Sequence, residues 1–207
     1  MMIEDFGARI ASVWQGLRST TRNLIVGAMQ SPIVVPVPSR RSASAPYDAR
    51  ADWELSRLLT AFDDRVTEKD SALTSEQLKE LRRMADTTAD VLQFQTRSAE
   101  VFAQLVTRAH ARHDFAKIDA LADALMDRFA ASEIAELTRV EDPVVRALAL
   151  EAMVQLPTNS LVALLVDPVD ADIARDSIER QVVEYESEEA RQVLSALDQV
   201  ESEDGEV

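Results

Sequence analysis

Along most of the chain, apolar side chains recur at steps of three and four, the spacing that gathers them on one face of an α-helix. Ile3, Phe6, Ile10, Val13, Trp14, Leu17, Thr21, Leu24, Ile25 and Ala28 keep this rhythm and predict one amphipathic helix over 3–29. Leu55, Leu58, Leu59, Phe62 and Val66 predict a second over 52–66. Thr74 and Gln77 make a capping box, after which Leu78, Leu81, Ala85, Thr88, Leu92, Gln95, Ala99, Phe102, Val106 and Ala109 predict one long helix to about Arg112. That spacing is a heptad seam diluted by Thr88 and Gln95, which favours packing inside a helical domain over a free dimeric coiled coil. Further helices are predicted over 114–130, 132–140, 159–166, 171–185 and 188–200.

The most legible helix lies between Asp142 and Pro157. Asp142 is placed to cap the first free N–H groups, and Pro143 at the first helical position gives up no hydrogen bond. Val145, Leu148, Ala149, Ala152 and Leu156 form its apolar stripe, and Pro157 ends it. Upstream, Pro32, Pro36, Pro38 and Pro46, interspersed with serines and the Arg40-Arg41 pair, forbid a regular helix and predict a linker over 31–51.

An offset of 28 residues lays Leu137 on Leu165, Val145 on Ile173, Ala149 on Ser177, Leu150 on Ile178 and Glu151 on Glu179. A second Asp-Pro, Asp167-Pro168, follows a short helix as Asp142-Pro143 does. A short helix, an Asp-Pro corner and a longer helix carrying Val-Arg and small residues resemble a bacterial HEAT-type repeat. The likeness covers about residues 132–200, with one good unit at 137–156 and one degenerate unit in which Ala174 stands where Arg is expected. The resemblance implies stacked helix pairs, since one pair cannot bury its own apolar face.

Composition agrees with a helical chain: only 4 glycines, 5% aromatic residues and many Ala, Leu, Glu, Asp and Arg. Neither a dinucleotide-binding nor a phosphate-binding glycine motif is present. The absence of cysteine removes disulfides, thiolate metal sites and a cysteine nucleophile, and fits a cytosolic setting. The net charge of −15 is uneven, with residues 1–50 at +3 and the remainder at −18. Such a body repels phosphate backbones, so a nucleic-acid partner is not expected; a protein with a basic surface is the natural counterpart.

Candidate chemistry is sparse. His110 and His113 share a helix end beside Asp114, a spacing that suits a metal or simply the helix dipole. Asp119, Asp123 and Asp127 form an i, i+4, i+8 carboxylate line, either a solvated face or an acidic docking strip. No nucleophile elbow or triad is recognisable. Three settings are open to the first helix, with Phe6, Ile10, Trp14 and Leu17 on its apolar face: docking on the chain's own body, on a partner, or on a membrane surface.

The expected architecture is all-α. It comprises an amphipathic arm (1–30), a Pro/Ser-rich linker (31–51), a helical domain (52–131), HEAT-like repeats forming a short α-solenoid (132–200) and an acidic tail (201–207). The expected role is a non-enzymatic scaffold or adaptor, cytoplasmic and without cofactor or metal. It would bind a protein partner through the arm residues and the Asp119–Asp127 strip. A membrane-peripheral protein anchored by the first helix is the alternative.

Overall fold

The computed structural model describes residues 3–30, 47–68 and 73–204, so the expected linker falls mostly outside the described residues, as does the end of the acidic tail. Among the described residues there are eleven α-helices, one 3-10 turn and no strand. The chain divides into two compact units, 1–101 and 102–207. The domain boundary expected at 131/132 lies inside the second.

In the first unit, a 3-10 turn (Ile3–Phe6) leads through Gly7 into α1 (Ala8–Gly16) and α2 (Ser19–Gln30), followed by α3 (Ala49–Thr67) and α4 (Ser75–Gln95). α3 packs along α4, α1 lies on α3, and α2 lies on α4. Leu55, Leu58, Leu59 and Phe62 of α3 and Leu81 and Leu92 of α4 are fully buried. Each such side chain contributes roughly 1.5–3 kcal/mol through apolar area removed from water. α4 opens with the expected capping box: the Thr74 hydroxyl accepts from Gln77 N–H at 3.2 Å, and Gln77 Oε1 accepts from Thr74 N–H at 2.8 Å.

Two helices that the pattern makes continuous are broken. The stripe over 3–29 bends at Leu17–Arg18, where Leu17 is extended. The stripe from 75 to 112 ends at Gln95, Thr96 is extended, and α5 (Ala99–Ala111) starts afresh. Hydroxyls make this second break affordable: Thr96 Oγ1 accepts from Ser98 N–H, and Ser98 Oγ accepts from Val101 N–H, the N-cap bond of a new helix. The apolar spacing is preserved across both breaks, which is why periodicity alone reads through them.

The second unit begins within α5 and continues with α6 (Phe115–Arg128), α7 (Ala131–Leu137), α8 (Pro143–Gln155), α9 (Thr158–Leu164), α10 (Ala171–Tyr185) and α11 (Glu188–Asp204), which runs beyond the expected end at 200. α7 pairs with α8 and α9 with α10; α8 touches both α6 and α10, and α9 touches both α7 and α11. Helices α6, α8 and α10 therefore form one row, and α7, α9 and α11 another. Val145, Ala149 and Ala152 of α8, and Ala174, Ser177 and Ile178 of α10, are buried in the unit's interior. Small side chains at Ala149 and Ser177, the pair matched by the 28-residue offset, suit close helix contact, and the Ser177 hydroxyl is satisfied by Ile173 O at 2.7 Å. Phe102 meets Phe129 edge to face, with ring centroids 5.3 Å apart.

Both Asp-Pro corners join a short helix to a longer one, but they act differently. Asp142 Oδ1 accepts from Val144 and Val145 N–H and caps α8 directly. Asp167 Oδ1 accepts from Val169 N–H and caps a turn that precedes α10. Arg139, in the first corner, forms an ion pair with the buried Asp170 of the second.

Candidate interaction surfaces

The apolar face of the first helix is turned inward. Phe6 and Ile10 are each 1% exposed and Leu17 is 5% exposed; Trp14 is half-buried. Arg65 Nε donates to Phe6 O at 2.9 Å, and Arg9 pairs with Asp64 at 2.8 Å, fixing the start of the chain to α3. Of the three settings open to this helix, the structure shows docking on the chain's own body. Three of its four candidate partner-binding side chains are occupied there, and no free arm is present over the described residues of 1–30.

An ionic joint holds the bend. Glu54, on α3, is 2% exposed. Its carboxylate accepts from the Thr21 hydroxyl, from Arg18 N–H at 3.3 Å and from Arg18 Nε at 3.0 Å, and lies 3.3 Å from Arg50 Nε. Arg18 also reaches Asp48 at 2.8 Å, and Asp48 caps α3 by accepting from Arg50 and Ala51 N–H. Glu54 therefore supplies from another helix what the start of α2 lacks locally, an acceptor for its first free N–H. Burial alone pushes the Glu54 carboxyl up; the Thr21 hydroxyl and the Arg18 N–H and guanidinium outweigh it and hold Glu54 below the ordinary carboxylate range.

A second buried carboxylate, Asp52, accepts from the Tyr47 hydroxyl and from Gln95 Nε2, both at 2.9 Å. Gln95, a diluting residue in the heptad reading, is thus a hydrogen-bond partner for a buried acidic side chain. Thr88, the other, is fully buried with its hydroxyl bonded to Met84 O at 2.8 Å. Thr88 meets its need one turn back in its own helix, whereas the use of Gln95 depends on what α3 presents, of which periodicity carries no sign.

Asp119, Asp123 and Asp127 are all exposed along α6. The adjoining helices expose further carboxylates, Glu151 on α8 and Asp172, Asp176 and Glu179 on α10. The division into units concentrates the charge further than the sequence halves suggest. Residues 102–207 hold nine Lys and Arg against 23 Asp and Glu, a net charge of −14, whereas residues 1–101 hold 13 against 14. The arginines of α10 are paired within the chain: Arg180 pairs with Glu184 at 2.8 Å and reaches Glu151 at 3.7 Å, and Arg175 pairs with Glu179 and Asp198.

His110 and His113 are exposed at the end of α5. His113 takes a left-handed conformation (φ 56°) that closes the helix, its N–H donating to His110 O at 3.0 Å, and Asp114 then caps α6. Among the described residues, no three or more His, Asp or Glu are grouped so as to hold a metal ion. No single described helix is long and apolar enough to cross a membrane. Comparison with protein-family models, with curated proteins and with solved structures gives no match to this chain.

Proposed function

We propose that the protein is a non-enzymatic interaction scaffold or adaptor whose second unit is a short HEAT-like solenoid offering an acidic row to a basic protein surface. One observation carries this reading: stacked helix pairs with a net charge of −14 expose Asp119, Asp123, Asp127, Glu151, Asp172, Asp176 and Glu179 along adjoining helices. Rows of helices give a broad, rigid surface, and charge of one sign over such a surface accelerates encounter with the opposite sign and rejects phosphate-rich partners. The membrane-anchored alternative finds less support, because Phe6, Ile10 and Leu17 would have to leave the interior of the first unit to enter a bilayer.

The test compares affinity capture from a native lysate by the full chain and by the D119N/D123N/D127N variant at physiological salt. Basic proteins held by the wild type and released by the variant are the expected result. Identical captured sets, insensitive to salt, would overturn the reading.

A further inference from the structure

We propose that an open cleft at one end of the second unit receives an arginine side chain of the basic partner; this rests on the acidic-scaffold reading and locates a contact within it. The cleft has a volume of about 470 Å³ and lies where the α8–α9 corner meets the α10–α11 corner. Its walls include Pro157 and Asn159 on one side and Tyr185, Ser187 and Glu189 on the other. Its floor is set by Gln181, which is 7% exposed. Gln181 Nε2 donates to Val154 O at 2.9 Å and Leu156 O at 2.6 Å, while its Oε1 accepts from the Thr158 hydroxyl at 2.9 Å. Every polar atom of that amide is committed, so the floor is rigid and recognition falls to the rim.

The rim suits a guanidinium. Tyr185 is 54% exposed, and the next residue, Glu186, takes a left-handed conformation (φ 52°) that turns the chain around the cleft. Glu186 and Glu189 are exposed and form no ion pair among the described residues, unlike neighbouring Glu184 and Glu188, which pair with Arg180 and Arg191. Elsewhere the chain shows what its exposed aromatic rings accept: Arg57 stacks 4.7 Å from the Trp53 centroid and Arg97 lies 5.6 Å from that of Tyr47. Tyr185 presents the same kind of ring, with no cation stacked over it among the described residues, and nearby Arg180 is paired with Glu184. A planar guanidinium can stack on that ring while its edge meets the carboxylate of Glu189, which lines the same cleft; a compact ammonium does this less well.

The experiment titrates fluorescein-labelled nona-arginine and nona-lysine peptides into the full-length protein at 0.15 M salt, read by anisotropy, with Tyr185→Ala, Tyr185→Phe and D119N/D123N/D127N as variants. Nona-arginine should bind more tightly than nona-lysine. Tyr185→Ala should weaken nona-arginine about two- to fivefold, the order of an exposed stacked cation. Tyr185→Phe, which keeps the ring, should retain wild-type binding. Absence of wild-type binding, equal affinity for the two peptides, or an unchanged Kd in Tyr185→Ala would overturn the cleft. The triple Asn variant reports on the broader reading: if it weakens both peptides while Tyr185→Ala weakens neither, the acidic row stands and the arginine cleft falls.

Discussion

Replacing Glu54 with alanine tests whether the bend between α1 and α2 is made by tertiary contact. The substitution removes the acceptor for the Thr21 hydroxyl, which is 2% exposed, and for Arg18 N–H. It also leaves a small void among side chains of the first unit. A buried hydroxyl left without a partner costs about 1–3 kcal/mol. Breaking a buried ion pair by removing one member costs about 3–5 kcal/mol, and the lower end applies because the Arg18 side chain is 31% exposed and can turn to Asp48 and water. These contributions overlap at one carboxylate, so the expected loss is about 3 kcal/mol. Trp14 and Trp53 are the chain's two tryptophans and both belong to the first unit, so urea unfolding followed by tryptophan fluorescence reads that unit. With a slope of about 1–3 kcal/mol per M, the midpoint should fall by about 1–3 M. Glu54→Gln keeps one acceptor oxygen and should lie between the wild type and alanine. A midpoint moved by less than about 0.3 M in Glu54→Ala would refute the reasoning, because the bend would then be held by something other than this joint.

Three further outcomes follow from the same contacts. Glu54 has a lower pKa in the folded chain than its ordinary 4.5, so the unfolded state binds its proton first; the stabilisation is complete above about 4.5 and is lost as the pH falls through the folded value. Tryptophan-detected stability should therefore decline on acidification below 4.5, and Glu54→Gln should flatten that decline. Gly7 has φ +128°, and an added Cβ would sit an ordinary 3.7 Å from Arg65 Nε, so Gly7→Ala should lose about 1–3 kcal/mol through backbone strain without a clash, measured by the same urea titration. Gln181→Leu would strand Val154 O, Leu156 O and the Thr158 hydroxyl, and should cost the second unit about 3 kcal/mol in urea unfolding followed by circular dichroism at 222 nm.

Helix existence and most helix ends in this protein are local properties, and the sequence by itself determined them. The Thr74–Gln77 box, Asp142 with Pro143, and Pro157 act within a few residues of their own position, so their chemistry is visible in the order of the chain. The exposed Asp119–Asp123–Asp127 line was equally legible, because a spacing of four on a helix is enough to align side chains. Only the tertiary structure decided what those helices face. The bend at Leu17–Arg18 depends on a carboxylate 36 residues away, and the role of Gln95 depends on Asp52, 43 residues away. The Tyr185 cleft exists because two corners far apart in sequence meet in space. Periodicity records which face of a helix is apolar, but not which neighbour covers it, and a polar residue on that face looks like a defect until its buried partner is known.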